Sequence, residues 1–99
     1  MHGSIWSFAG DPDHLLASYD AMLADIPVAR MRLHLCLNAA DGIVIVDTCP
    51  SREDFAVFAA EHFPPLRRRY DLPEPRRMDD FPVHAAFVNG ERIYAAAIT

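Results

Sequence analysis

Residues 30–51 read RMRLHLCLNAADGIVIVDTCPS, and this stretch decides the fold. Apolar and polar side chains alternate on both sides of Asp41-Gly42, with the period of two that is typical of β-strands. An Asp-Gly pair between such runs favours a two-residue type I′ turn, in which both central residues have positive φ. The stretch therefore predicts a β-hairpin with strands over residues 30–38 and 43–49.

The two faces of this hairpin differ in chemistry. One face is apolar, and we expect it to pack under the helices of the fold. Its side chains are Met31, Leu33, Leu35, Leu37, Val44 and Val46. The other, mixed face carries His34, Cys36, Asp47 and Cys49. A tight Asp-Gly turn places His34 opposite Cys49, whereas a looser turn places it opposite Asp47.

The segment before the hairpin predicts a strand and a helix. A short strand is expected over residues 2–8, with His2, Ser4, Trp6 and Phe8 on one face. Asp11 is a suitable N-cap and is followed by proline, so a helix is expected over residues 12–25. The apolar stripe of this helix is Leu15, Leu16, Tyr19, Met22, Leu23 and Ile26.

The segment after the hairpin predicts a second helix and two strands. Ser51 and Asp54 resemble a capping box at the start of the helix, and a Pro-Pro pair is expected to interrupt it before a short helical turn over residues 66–70. The apolar side of this helix is formed by Phe55, Phe58, Ala59, His62 and Phe63. Strands are predicted over residues 83–88 and 92–98, joined by a tight Asn-Gly turn.

Composition limits the classes of function. The 99 residues suffice for one domain, over residues 1–99. The net charge of -5 argues against a nucleic-acid-binding protein, which needs a basic stripe. We interpret the arginine runs at 67–69 and 76–77 as solvated surface, with an anion clamp as the alternative. Two cysteines, no leader-like segment and no apolar run long enough for a membrane span favour a soluble cytoplasmic protein.

The predicted order β-α-β-β-α-β with a tail strand is that of the ferredoxin-like α+β fold. Right-handed crossovers place both helices on one face of an antiparallel sheet, and we place the first strand parallel to the third. The chain has no third helix to cover the other face. Face-to-face homodimerisation of two sheets would supply that cover.

This layout, and HLCLNAADGIVIVDTCPSREDF from His34 to Phe55, resembles small bacterial proteins of the dimeric α+β barrel superfamily. That superfamily includes antibiotic-biosynthesis monooxygenases, stress-responsive barrel proteins, small polyketide cyclases and haem-degrading enzymes. The resemblance covers almost the whole chain and lies in layout rather than in a motif. It implies a homodimer with a pocket in each subunit between sheet and helices. It implies no single reaction and transfers no catalytic residue.

The expected topology brings side chains from four strands to one edge of the sheet. The ends of the first and third strands would meet the starts of the second and fourth there. The residues expected in this patch are Trp6, His34, Asp47, Cys49 and His84, with Cys36 one step away. One interpretation is that the patch is a ligand pocket lined by Trp6 and the two thiols. Asp47 would then orient His34 or His84 as a general base.

Three other interpretations of the patch stay open. In a structural one, His34 and Asp47 satisfy each other and the thiols are small buried hydrophobes. In a second, the mixed face holds zinc, although no familiar zinc spacing is present. In a third, the helix that follows Cys49 lowers its pKa for redox chemistry, although Cys36 lies too far away for an unstrained disulfide. We predict neither a metal nor a cofactor.

The leading functional hypothesis is a small homodimeric enzyme that acts on a hydrophobic or aromatic small molecule. The reaction would be cofactor-independent oxygenation, as in a monooxygenase, or base-assisted cyclisation. His34, Asp47 and His84 would be catalytic, and Trp6, Cys36 and Cys49 would line the substrate pocket. The alternatives are a non-enzymatic ligand-binding or stress-associated dimer, and an accessory protein-interaction module. No nucleic-acid or membrane partner is expected.

Overall fold

A four-stranded antiparallel sheet with helices on one face organises the computed structural model, which describes residues 1–97. Its strands are β1 (His2–Ala9), β2 (His34–Ala39), β3 (Gly42–Cys49) and β4 (Arg77–Pro82). They lie in the order β2-β3-β1-β4. A separate two-stranded sheet contains β5 (Ala85–Val88) and β6 (Glu91–Ala95). The architecture is α+β and compatible with a ferredoxin-like fold.

Helices begin where the sequence predicts them. They are α1 (Pro12–Met22), continued by a 3-10 turn over Leu23–Asp25, then α2 (Arg52–Val57), a π-helical turn over Phe58–His62, and α3 (Phe63–Arg69). The Asp11 carboxylate accepts a hydrogen bond from the His14 N–H at 3.2 Å, and the Ser51 hydroxyl accepts one from the Asp54 N–H at 3.1 Å. Both side chains therefore act as N-caps.

The Pro-Pro pair does not interrupt the second helical segment, contrary to expectation. The π-helical turn before it places Pro64 at the start of α3. The first N–H groups of a helix need no partner within that helix, so proline is tolerated at this position. The helical segment therefore continues to Arg69.

A Schellman motif ends α3. The Leu72 N–H donates to the Arg67 carbonyl at 2.8 Å, and the Asp71 N–H donates to the Arg68 carbonyl at 3.3 Å. Asp71 adopts the left-handed conformation, with φ of 58°. This reversal buries the Leu72 side chain against the core.

The helices cover the mixed face of the hairpin, so the prediction that they cover the apolar face is wrong. Ile43 and Ile45 lie on the mixed face and are buried, whereas Leu35 and Leu37 on the other face are 44% and 45% exposed. The core that the helices and this face enclose contains Trp6, Phe8, Leu15, Tyr19, Met22, Ile26, Ile43, Ile45, Phe55, Phe63 and Leu72. The aromatic side chains of β1 add to the mixed face, which gives it more apolar bulk than its own strands suggest.

The hairpin turn also differs from the prediction. Ala39 pairs with Gly42, so the turn residues are Ala40 and Asp41, and neither Asp41 nor Gly42 has positive φ. Gly42 is required for another reason, because a Cβ atom at this position would overlap the backbone carbonyl of Phe8. The resulting register is that of the looser turn.

Two further predictions about the strands are wrong. Strand β1 is antiparallel to β3, as the connectivity of a split βαβ unit requires, and not parallel to it. The fourth strand of the main sheet is Arg77–Pro82 rather than residues 83–88.

Residues of the predicted fourth strand pair with β6 instead, across a turn in which Asn89 and Gly90 have φ of 52° and 77°. The predicted Asn-Gly turn is confirmed. The end of the predicted terminal strand, residue 98, lies outside the described residues. Within residues 1–97, every helix is too short or too polar to cross a bilayer.

Candidate functional site

A row of buried and half-buried polar side chains crosses the sheet beneath the helices. The Trp6 Nε1–H donates to Ser4 Oγ at 2.9 Å, and the Ser4 hydroxyl donates to Asp47 Oδ1 at 2.5 Å. His34 Nδ1 lies 3.8 Å from Asp47 Oδ2, and His34 Nε2 lies 2.6 Å from the Tyr19 hydroxyl. These five residues form one connected series, which we call the polar chain.

Strand register assembles the polar chain. Ser4 pairs with Asp47 across β1 and β3, and His34 pairs with Asp47 across β2 and β3. Directly paired residues share a face of the sheet, so all three side chains point toward the helices. Tyr19 reaches the same place from the buried stripe of α1, where its ring lies parallel to the imidazole of His34. The predicted meeting of His34 and Asp47 on one face is confirmed.

The two ring nitrogens of His34 have different surroundings. Nε2 shares a hydrogen bond with the Tyr19 hydroxyl, whereas Nδ1 is buried 3.8 Å from the Asp47 carboxylate and has no hydrogen-bond partner among residues 1–97. Burial raises the pKa of Tyr19, and the negative charges of neighbouring residues raise it further. Tyr19 therefore keeps its hydroxyl proton at neutral pH.

A second histidine of the covered face, His2, is buried at the same end of the sheet. His2 Nε2 is 3.6 Å from Asp80 Oδ2 and has no hydrogen-bond partner among residues 1–97. Its ring centroid lies 5.5 Å from that of Phe55. His2 pairs with Cys49 in the strand register, so it follows Ser4 along the covered face.

The polar chain has almost no free space beside it. The cavity that His34 and Asp47 line has a volume of about 10 Å³, and its other lining side chains are aromatic, aliphatic or methionine. That volume corresponds to about one water molecule. A substrate would have to displace the core side chains to reach the imidazole.

A larger cavity lies at the end of β3 and has a volume of about 170 Å³. We call it the Cys49 cavity. Its apolar wall includes Met31, Val57 and Phe58, and its polar wall includes Arg30, Asp54 and His62. It occupies the space between the 3-10 turn Val28–Arg30, the end of β3 and the helical segment that begins with α2.

The Cys49 thiol is not activated, so the expectation of a lowered pKa is wrong. Burial, assisted by the charges of Asp47 and Asp54, raises the pKa of Cys49 to about 11. Burial also raises the pKa of Cys36. Both cysteines are free thiols. Within residues 1–97, no group of three or more His, Cys, Asp or Glu side chains is arranged to hold a metal ion.

The sequence-predicted site residues divide between three places. Trp6, His34 and Asp47 come together around the small cavity, and Cys36 lies opposite Ile45 on the same covered face. Cys49 instead lines the larger cavity. His84 is exposed in the bend between β4 and β5, and its predicted place on the mixed face is wrong because residues 83–88 are not part of the main sheet.

Sequence reasoning missed the roles of Ser4 and Tyr19. Ser4 shares a face with Trp6, and its place beside Asp47 follows once β1 is antiparallel to β3.

The arginine runs lie mainly at the surface, as the sequence predicts: Arg68, Arg69, Arg76 and Arg77 are exposed, and Arg67 is half-buried. Arg67, Arg69, Arg76 and Arg77 lie within 4.0 Å of carboxylates, those of Glu74, Asp25, Asp41 and Asp79 respectively. These arginines are neutralised within the chain.

Comparison of the chain with protein-family models, with curated proteins and with solved structures found no match.

Proposed function

We propose that this protein is a homodimer that binds a small, largely apolar organic molecule in the Cys49 cavity. The size and lining of that cavity carry the proposal. An apolar cavity of about 150 Å³ takes up benzene, and the Cys49 cavity measures about 170 Å³. Ligand sites combine apolar walls with a few placed polar groups, and here Met31 and Val57 face Arg30 and Asp54.

The polar chain supports binding rather than catalysis. Its imidazole is covered by core side chains, and the adjoining space of about 10 Å³ holds no organic substrate. The hydrogen bonds to Asp47 Oδ1 and His34 Nε2 satisfy polar atoms that the helices would otherwise bury alone. In this proposal the polar chain holds the strands in register and the Cys49 cavity receives the ligand.

Benzyl alcohol is a suitable first probe, because its ring matches the cavity and it carries no charge. We expect calorimetric titration to detect binding to the wild-type protein and to Ala56→Trp. Val57→Trp should weaken binding at least tenfold, because the indole occupies the cavity. Ala56 is exposed on the same helix and does not line the cavity, so it controls for the added bulk. Equal affinity of the two variants would remove the Cys49 cavity from consideration.

Dimerisation is proposed through the face of the sheet that the helices leave open, which we call the open face. Ile5, Leu35 and Leu37 lie there and are 43%, 44% and 45% exposed. Contiguous exposed apolar side chains on a small protein mark an interaction surface. A second copy of the chain is the occupant that needs no further partner, because a twofold axis matches an apolar sheet face with itself.

Sedimentation tests this part of the proposal. Leu37→Glu should convert a wild-type dimer into a folded monomer, because it places a charge at the centre of the buried interface. Val28→Glu is the matched control, since Val28 is 41% exposed on a 3-10 turn outside the sheet. A wild-type monomer at micromolar concentration, or a Leu37→Glu dimer, would contradict dimerisation through the open face.

Catalysis on the bound molecule, of the monooxygenase or cyclase type, is the second candidate. The series Tyr19–His34–Asp47 favours it, because a carboxylate-oriented imidazole is a common general base. The test compares the small molecules recovered from wild type and from His34→Gln by mass spectrometry. A chemically altered molecule from wild type alone would favour catalysis, and identical molecules from both would favour binding.

A further inference from the structure

A second cavity adjoins the Cys49 cavity and has a different chemistry. Its volume is about 350 Å³, and its walls include Arg30, Arg32, Thr48 and Tyr94. We call it the arginine cavity. Arg30 and Thr48 line both cavities, and within residues 1–97 the arginine cavity has no carboxylate in its lining. Two arginines and two hydroxyl-bearing residues therefore line one concave space.

The positive charge in this cavity is not neutralised within the described chain. Four other arginines lie within 4.0 Å of a carboxylate, whereas Arg30 and Arg32 do not in residues 1–97. This local positive charge contrasts with the net charge of the whole chain, which is -5. Like charges that face one concave space repel each other and create a positive potential that attracts anions.

The donors around the cavity are also held in place. Arg32 Nη1 donates to the Ile93 carbonyl at 2.5 Å, which ties its guanidinium to β6. The Thr48 hydroxyl accepts a hydrogen bond from the Leu33 N–H at 3.2 Å, so its own hydrogen remains available for donation. Fixed guanidinium and hydroxyl donors suit the oxygens of a carboxylate or a phosphate.

We propose that the ligand is an amphipathic anion, whose carboxylate or phosphate group binds in the arginine cavity while its apolar part occupies the Cys49 cavity. This rests on the proposed function and adds the charge of the ligand to it. Arg30 connects the two sites, because it lines both cavities. Neutral molecules of the same size then bind through the apolar part alone.

Calorimetric titration with benzoate, phenyl phosphate and benzyl alcohol tests the proposal. We expect at least one of the two acids to bind about tenfold or more tightly than the alcohol, since charge-assisted hydrogen bonds to arginine are strong. Arg32→Gln should remove that advantage and leave the affinity for benzyl alcohol unchanged, because Arg32 lines the arginine cavity and not the Cys49 cavity. Arg68→Gln is the matched control, because Arg68 is exposed on α3 and also has no carboxylate partner in residues 1–97.

The outcomes separate this inference from the proposed function. If the alcohol binds as tightly as both acids, the anion site is wrong and the Cys49 cavity stands. If Arg32→Gln and Arg68→Gln weaken acid binding equally, the anion does not bind in the arginine cavity. If none of the three probes binds, both proposals are wrong. A preference for benzoate or for phenyl phosphate identifies the anionic group as carboxylate or phosphate.

Discussion

Replacement of Ser4 by alanine tests the polar chain directly. The Ser4 side chain is buried, donates a hydrogen bond to Asp47 at 2.5 Å and accepts one from the Trp6 indole at 2.9 Å. Alanine retains the Cβ atom and removes the hydroxyl, so strand packing is otherwise preserved. The substitution leaves a buried carboxylate oxygen and a buried indole N–H without their partner.

The expected loss of stability follows from these two groups. A hydrogen bond to a charged group contributes about 1.5–3 kcal/mol, and an unsatisfied buried donor costs about 1–3 kcal/mol. Both losses come from the same hydroxyl, and the surrounding side chains can adjust to both at once. The two free-energy costs therefore do not add fully. We therefore expect Ser4→Ala to lower the free energy of unfolding by about 2–4 kcal/mol.

Urea unfolding measures this loss, and Trp6 is the single tryptophan and thus a local fluorescent probe. The midpoint should fall while the slope of the transition stays constant. Equal protein concentrations are needed, because a dimer's apparent stability depends on concentration. Ser7→Ala is the control, because Ser7 lies on the opposite face of β1 and its side chain makes no hydrogen bond within residues 1–97. A difference below about 0.5 kcal/mol between the variants would refute the reasoning.

Other substitutions test separate features of the fold. Gly42→Ala should destabilise the protein by about 1–3 kcal/mol in the same urea assay, because the added Cβ overlaps the Phe8 carbonyl; an unchanged midpoint would contradict this. Asp71→Gly should raise stability by about 0.5 kcal/mol, since φ is 58° there and glycine has no Cβ penalty; a lower midpoint would count against the left-handed cap. The free energy of unfolding should fall as pH rises from 9.0 toward about 11, because the Cys49 thiol loses its proton at a lower pH in the unfolded chain than in the folded protein. The stability of Cys49→Ala should fall less steeply over the same range. Parallel curves for wild type and variant would contradict a raised pKa of Cys49.

The local signals of the sequence predict the helices correctly, whereas the edge strand of the sheet escapes them. Asp11 and Ser51 are capping residues whose bonds lie within a few residues of sequence, so the chain itself contains the information. Strand β4 instead contains Arg77, Asp79 and Asp80, and reads as a polar loop. Edge strands commonly carry charges that prevent further pairing, and this makes them hard to separate from loops.

Alternation identifies which side chains share a face but not which face the helices cover. Both faces of the hairpin are apolar enough to be buried, since Ile43 and Ile45 balance Leu35 and Leu37. The choice depends on the neighbouring strand, where Trp6 and Phe8 both lie on the mixed face. Burial is thus decided by strands that are distant in sequence. For this reason alternation predicts that His34 and Asp47 meet, because they lie on paired strands. It does not predict the contact with Tyr19, which lies on a helix.

The polar chain also favours the observed alignment of β1 with β3. A slip of one residue between β1 and β3 would move Ser4 to the open face and leave Asp47 buried without its hydrogen bond. A buried carboxylate that loses its donor is costly, so the slipped pairing is disfavoured more strongly than apolar contacts alone would achieve. The same slip would also move Gly42 out of register with β1. The hydrogen bond between Ser4 and Asp47 therefore specifies the alignment of β1 with β3.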